Sequence, residues 1–597
     1  MAGNTSTNAA AGRKHPRGLM FLFLTEMWER FGYYLMLGIF SLFMIDSWEN
    51  GGMGFTGAQK SDIYGTYIGL VYLTPFIGGL LADRLLGYRL SIIIGGLLMS
   101  AGYFGLSLHT STSFYVSLLL IIVGNGFFKP NISTLVGNLY NNDQFKANKD
   151  AGFNIFYMGI NVGAFICNFV AAYMRINYGW GHAFAAAGVG MLLGLVVFVI
   201  GTKHVKEADV IKPTKPGDMA LWKIFAIVLV PMFAFGIIGY FLKGVTGPGN
   251  PHGHLISSDT TDAFLFGCIP VIAFFLYMLF TASEEDKRPI GALLSVYACI
   301  VIFWAVFHQN GDALTIWAED YTDRSMPTWV SGPLDKAGMA QTTNYHPSIY
   351  EEWDSTRFAG LTTGLSAKHD SIDKLATATQ DVDAKEAFKK QAKGVSTELK
   401  VREDSKKYFE NLPDTKRPAK DSNLLLISTE LFQSVNPFWV VLLTPIVVGF
   451  FGLLRRRGRE PSTPTKIFIG LIITALSTLV MFAAVKSTDL IHDKASSMWL
   501  VAAYAVITVG ELCLSPMGLS LVSKLSPPRI TALMMGGFFL STAVGNKLAG
   551  TLSSLWDGFE DKSNFFLMNC GLVLVAAVLL FLMLGFLNRV MKEKNIH

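Results

Sequence analysis

Long runs of Leu, Ile, Val, Phe and Gly recur along the chain, separated by short polar stretches. A bilayer span takes about 20 mostly apolar residues. Fourteen runs meet that requirement, near 18–46, 60–82, 90–108, 113–138, 151–174, 182–202, 221–242, 262–282, 290–318, 436–454, 466–485, 497–522, 530–555 and 564–590. They fall into groups of six, two and six. The runs are unbroken rather than alternating, which predicts helices and not an outer-membrane barrel.

The basic residues between the runs orient them, because Lys and Arg collect on the cytoplasmic side. Even-numbered connections carry Arg84, Arg89, Lys146, Lys149, Lys203, Lys206, Lys212, Lys215, Lys287, Arg288, Arg455, Arg456, Arg457, Arg459, Lys524 and Arg529. Odd-numbered short ones carry only Lys60, Arg175, Lys243, Lys486, Lys494 and Lys562. Both termini are therefore expected in the cytoplasm. The expected division is a tail over 1–17, a six-helix bundle over 18–202 and a linker with two extra helices over 203–287. A second bundle follows over 288–597, with an extracytoplasmic insert at 319–426. The start of the insert reads as irregular. Its part from about Ser371 to Asn411 reads as one or two solvated helices, Asp381–Lys393 especially.

Composition sharpens this picture. Hydrophobic residues make up 51% of the 597 and charged residues 16%, against about 25% charged in soluble domains. Residues 319–421 hold 34 of the 93 charged residues, so the rest of the chain is about 12% charged. That excludes a soluble enzyme, a disordered protein and a nucleic-acid binder. The net charge of +5 identifies no partner. All five cysteines lie in apolar runs with no CxxC pair, as small hydrophobes in a membrane interior. The first 18 residues are polar, and the run after them is too long and too charged for a cleavable leader. No HExxH, GxSxG or metal-ligand spacing occurs, so neither enzymatic activity nor a cofactor is expected.

Charges inside the spans carry the chemistry, since each costs ~2.5–3.5 kcal/mol to insert and such groups commonly mark pathways. Glu26, Glu29 and Arg30 share one face of the first span, with Glu26 and Arg30 in the favourable i, i+4 order. Two acids with one base suit a proton carrier, against a purely structural ion pair. Lys129, followed by Pro130, is too deep to snorkel easily, so a partner acid is expected. Lys547 reads as structural or snorkelling. In the ninth span His308 and Asp312 stand one turn apart on a shared face, where a His beside an acid takes up protons near neutral pH. The alternative is a satisfied polar pair in a wet cavity. Glu511 lies near the centre of the twelfth span, with Ser515 and Pro516 after it. Tyr33, Tyr34, Tyr67, Tyr157, Asn161, Trp304 and Asn436 accompany these charges as candidate cavity lining.

Several segments resemble a known family. GGLLADRLLGYR (Gly78 to Arg89) resembles the signature loop of the major facilitator superfamily. EMWERFGYY (Glu26 to Tyr34) is similar to the ExxERFxYY signature of the proton-dependent oligopeptide transporters, and FYMGINVGAF (Phe156 to Phe165) to their FYxxINxG signature. GNGFFKPNIS (Gly124 to Ser133), FQSVNP (Phe432 to Pro437) and GELCLSPMGLS (Gly510 to Ser520) also resemble family elements, in family order. The resemblance covers almost all the chain outside the insert.

The resemblance implies an all-α polytopic membrane protein with the major facilitator fold. It would have two six-helix bundles around a central cavity, plus the two extra helices of prokaryotic members, fourteen spans in a bacterial inner membrane. It implies a proton-coupled symporter that imports di- and tripeptides by alternating access, with protons, small peptides and the lipid bilayer as its partners. Nothing in the sequence sets an oligomeric state. The resemblance assigns proton coupling to Glu26, Glu29, Arg30 and Lys129. Substrate contacts fall to Tyr34, Tyr67, Lys129 and Asn161 on the first half, and to Trp304, Asn436, Glu511 and Ser515 on the second. Glu511 would hold the peptide ammonium.

Two positions depart from the family. Leu37 stands where many members have an Arg, and His308 where many have an acid. Losing both together is physically coherent, because a lone buried charge is costly. His308 and Asp312 are then expected to form an altered gate or second proton site. The departures motivate one other reading, a transporter of the same fold for another small anion or amino-acid derivative. A membrane receptor or scaffold working through the insert is a further reading, against which the Glu26–Glu29–Arg30, Lys129 and Glu511 set argues.

Overall fold

The computed structural model describes residues 15–594 except 141–143, 146–148, 211–220, 245, 247–252, 326–327 and 528–529. Between 345 and 421 it describes 364, 366–372, 374–375, 384, 387–388, 391, 395, 408–409 and 412–419. The 1–17 tail and the solvated helices expected over 371–411 lie largely outside those residues. Lys146, Lys212, Lys215 and Arg529 lie wholly outside them.

The apolar runs are helices. The first six are α1 (Gly18–Ile45), α2 (Gly57–Leu81), α3 (Tyr88–Leu106), α4 (Ser111–Leu139), α5 (Lys149–Tyr178) and α6 (Trp180–Val205). They bury one continuous apolar cluster. The second half is α9 (Glu284–Phe307), α10 (Ala313–Asp320), α12 (Val435–Arg456), α13 (Thr463–Ser487), α14 (Ser497–Leu525), α15 (Thr531–Ser553) and α16 (Lys562–Glu593). These bury a second cluster, which also takes in Phe264, Cys268 and Phe275 of α8 (Asp259–Thr281). Ten helices among the described residues are long and apolar enough to cross a membrane. Their outer faces expose large apolar side chains such as Val196, Ile200, Phe581 and Leu582. That is the inverse of a water-facing surface, and a bilayer tolerates it because the helices satisfy their own backbone groups.

Two spans are not the single helices expected. The seventh is a short turn (Leu221–Ile224), a π turn (Phe225–Leu229) and then α7 (Val230–Phe241). The ninth breaks after Phe307 into a 3-10 turn over His308–Gly311, and Asp312 leaves helical geometry (φ −131°, ψ −89°) before α10 begins. Asn310-Gly311 is a turn-forming pair, and it overrides the apolar pattern on both sides.

The halves meet closely where α2 crosses α15. A Cβ on Gly65 would lie 2.9 Å from the Gly550 Cα, and one on Gly550 would lie 2.3 Å from the Ser61 carbonyl oxygen. Only glycine lets these backbones approach so closely.

The insert is more ordered at its base than its composition suggests. Its first part, expected to be irregular, holds β1 (Thr322–Asp323), α11 (Thr328–Lys336) and β2 (Ala340–Asn344). β2 pairs antiparallel with β3 (Asn423–Ile427), and β1 pairs parallel with β4 (Ala495–Ser496). Tyr408, Phe409, Leu412 and Leu426 form a small core beneath the β2–β3 pair. Lys494 donates to the Asp320 carbonyl oxygen at 2.5 Å, and burial pushes its ammonium down to about 8.

Candidate transport cavity

The sequence places Glu26, Glu29 and Arg30 on one face of α1, and the structure brings them together. Arg30 Nε lies 3.2 Å from Glu26 Oε1, and Arg30 Nη2 donates to Glu29 Oε1 at 2.9 Å. All three side chains are at most 3% exposed. Glu26 Oε2 is buried with no hydrogen-bond partner among the described residues. The guanidinium thus serves two carboxylates and leaves one oxygen unsatisfied, a position able to take a proton.

Lys129 has no carboxylate within 4 Å among the described residues, contrary to the partner acid expected. Its ammonium sits 3.9 Å from the centroid of the Tyr72 ring instead. A ring face attracts a desolvated cation by ~2 kcal/mol or more, which meets the need the acid was expected to fill. Lys129 still acts electrostatically on Glu26 and Glu29.

Tyr72 joins the halves. Its other neighbour is His308, edge to face at 6.2 Å, and His308 packs against Trp304 at 5.2 Å. His308 Nδ1 lies 3.3 Å from the Trp304 carbonyl oxygen, so its other ring nitrogen is the one left for a ligand. The sequence reading missed Tyr72. It stands five residues from Tyr67, a separation that turns it off the stripe drawn through Tyr67.

The expected pairing of His308 with Asp312 does not form. The 3-10 turn removes the shared face, and Asp312 makes a buried salt bridge with Lys60 of α2 instead. Lys60, assigned to a loop in the sequence reading, lies one turn inside α2. Thr56 caps that helix in a box with Gln59 and starts it earlier than the apolar pattern does.

On the second half, Asn436 Nδ2 donates to Thr508 Oγ1 at 2.9 Å and lies 3.4 Å from Glu511 Oε2. Ser515, one turn further along α14, has a buried hydroxyl with no partner among the described residues, as has the Trp304 indole N–H. The Glu511 carboxylate acts electrostatically on Tyr34 and Tyr157 across the divide. Asn161 is turned back on its own helix, donating to the Tyr157 carbonyl oxygen at 3.0 Å. Tyr67 is buried against Phe40 at 5.3 Å, its hydroxyl without a partner among the described residues. Lys547, read as structural or snorkelling, is buried and pairs with Asp62 at 2.6 Å.

Polar contacts between the halves gather at the end that carries the insert. Ser41 donates to the Gly311 carbonyl oxygen at 2.8 Å, Asn168 to Ser434 at 3.1 Å, and Arg175 to Glu430 at 3.0 Å. With Lys60–Asp312 and Asp62–Lys547 they tie the two halves together at that end.

The same architecture occurs in known proteins. The chain is 28% identical to a di-/tripeptide transporter of Lactococcus lactis subsp. lactis (strain IL1403), covering 95% of this chain and 94% of the relative. It is also 28% identical to the peptide transporter YePEPT of Yersinia enterocolitica subsp. palearctica, over 92% of this chain and 90% of that one. A crystal structure of a peptide transporter, POT, in complex with sulfate superposes with a TM-score of 0.69 at 27% identity, covering 97% of this chain and 96% of that one. The mutant of that transporter bound to alafosfalin gives 0.68, also at 27% identity and the same coverage. The sequence profile of the POT family matches residues 89–330 and 420–568. An integral membrane protein with these helices and this match belongs to the POT family.

Proposed function

We propose that the protein is a proton-coupled symporter that imports di- and tripeptides by alternating access. One observation carries this reading: a buried acid–base cluster beside Lys129 walls the first half's side of the seam and Glu511 with Asn436 the second's, with Tyr72 against His308 between the halves. A peptide is a zwitterion, and these walls suit its two ends. Its ammonium pairs with Glu511, and its carboxylate lies toward Lys129, Tyr72 and His308. Tyr34, Tyr67, Asn161, Trp304 and Ser515 complete the lining. Glu26 and Glu29 exchange a proton while Arg30 and Lys129 redistribute their pairing. Each charge moved inward gains about 2.3 kcal/mol per 100 mV of inside-negative potential.

In this reading fourteen spans are arranged six, two and six, both termini face the cytoplasm of a bacterial inner membrane, and the insert projects outside. The arrangement with contacts gathered at the insert end is then closed to the outside. The names of the relatives support peptides as the cargo.

Proteoliposomes with an inward proton gradient and an inside-negative potential are expected to accumulate labelled dialanine. Folded protein that accumulates none would sink the reading. It would favour another small anion or amino-acid derivative, for which Leu37 and His308 in the carboxylate corner give a specific reason. Glu511→Gln is expected to raise the KM for dialanine about tenfold or more, the range for truncating one side of a charge-assisted contact. The same change should barely affect uptake of an N-acetylated peptide. Equal loss for both peptides would remove Glu511 from the ammonium site.

A further inference from the structure

We propose that the base of the insert is a latch, which ties the first half to the second and holds the insert end of the cavity closed. The proposal rests on the alternating-access reading above. The POT profile leaves residues 331–419 unmatched, so the Gly338 side of the latch lies outside the shared pattern, while Arg175, Asn177, Ser428 and Glu430 lie within it.

The insert is firmly rooted in the second half. Its two ends are zipped together: Ile427 N–H donates to the Arg324 carbonyl oxygen at 2.8 Å, and Ser325 bridges Leu426. Arg324 is buried, and its guanidinium donates to the Ile427 carbonyl oxygen at 3.1 Å, to Gln341 at 3.0 Å and to Glu319 at 3.2 Å. Ala495 N–H donates to the Tyr321 carbonyl oxygen at 2.8 Å and continues the attachment into the α13–α14 connection. A polar network with this many partners rigidifies the junction of the insert with α9–α10 and α14.

From this root two contacts reach α5, which belongs to the first half. Asn177 Nδ2 donates to the Gly338 carbonyl oxygen at 2.8 Å. Gly338 occupies the left-handed region at φ +67°, and a Cβ there would lie 3.0 Å from both Asn177 Nδ2 and the Tyr173 ring. The turn between α11 and β2 is thus seated flush on α5, and a glycine is required for the fit. The second contact is Arg175, which donates to Ser428 at 3.1 Å and to Glu430 at 3.0 Å just after β3. Arg175 is 9% exposed at its side chain and Glu430 is fully buried. Opening of the insert end carries α5 away from the second half, so both contacts must break. The latch therefore lowers the population of the open form.

The test measures separation directly. The five native cysteines are buried, so spin labels can be directed to Leu108→Cys, between α3 and α4, and Ile491→Cys, between α13 and α14. Both sites are well exposed, at 67% and 74%. The distance distribution is recorded by double electron–electron resonance in the full chain, alone and with Asn177→Ala or Gly338→Val. Each substitution is expected to raise the long-distance fraction about two- to tenfold, the range one net hydrogen bond supplies. An unchanged distribution in both variants overturns the latch. This readout needs no peptide. Shifted distances with no dialanine uptake by the parent protein would sink the transport reading and keep the latch, and the reverse pair of results would sink the latch alone.

Discussion

Lys129→Ala abolishes proton-driven accumulation of dialanine, lowering the initial rate by about two orders of magnitude or more. The magnitude follows from burial. Arg30 already serves Glu26 and Glu29, and Lys129 supplies the second positive charge acting on them. Its removal leaves two carboxylates sharing one guanidinium in an apolar surrounding. Uncompensated buried charge costs ~3–5 kcal/mol, which at 1.36 kcal/mol per decade is about 10²- to 10⁴-fold. The protein can avoid that cost only by keeping one Glu permanently protonated, and a carboxyl that never releases its proton cannot couple transport to the gradient. Arg is a poor substitute, because its planar fork is shaped to stack and to form bidentate pairs rather than to place a compact charge over Tyr72. The measurement is uptake by Lys129→Ala beside the parent protein in proteoliposomes, with folding checked by elution as a single symmetric species. Accumulation at the parent rate would remove Lys129 from the coupling machinery.

Much of this was legible in the sequence, for physical reasons that also explain the rest. A bilayer forces every backbone group into a helix, so the apolar runs give helices whose ends fall within a few residues of those expected. The Glu26–Glu29–Arg30 cluster was legible because i, i+3 and i, i+4 spacing alone puts the three groups on one face. Lys129 was legible as a buried charge, but its counterpart was not. The Tyr72 ring face satisfies the ammonium without leaving any charge in the sequence to point at it. Lys60 and Asp312 were the hardest case. Thr56 and Gln59 start α2 early and draw Lys60 into the protein, while Asn310-Gly311 breaks the ninth span and turns Asp312 away from His308. Each effect is local, but the pair they create joins residues 252 positions apart, and no periodicity reports on that. The strands of the insert were hidden for a similar reason: β1 finds its partner in β4, on the far side of α12 and α13.

Reversing Asp312 to Lys is expected to cost about tenfold or more in uptake, and Lys60→Asp the same. The exchange of the two in one chain is expected to restore most of the activity. Lys60 and Asp312 are buried, at 4% and 0% exposure, and they connect α2 of the first half to the break before α10 in the second. Each single reversal places two like charges in one buried site, where mutual repulsion and lost solvation add. The insert end can then close only by neutralising a group, and the cycle stalls in the open form. The exchange returns one charge of each sign to the same place. Coupling between contacting residues of this kind runs to ~0.5–3 kcal/mol, enough to separate a rescued exchange from two additive losses. Rescue is expected to be incomplete because the site is not symmetric. Asp312 acts electrostatically on Tyr64, and the Gly311 carbonyl oxygen beside it accepts from Ser41. A Lys at 312 therefore meets neighbours chosen for a carboxylate. The deciding measurement is the four-member cycle of dialanine uptake rates under one gradient. An exchange no better than the sum of its two single reversals would mean that the pair only fastens helices, and closure would then rest on Asp62–Lys547 and Arg175–Glu430.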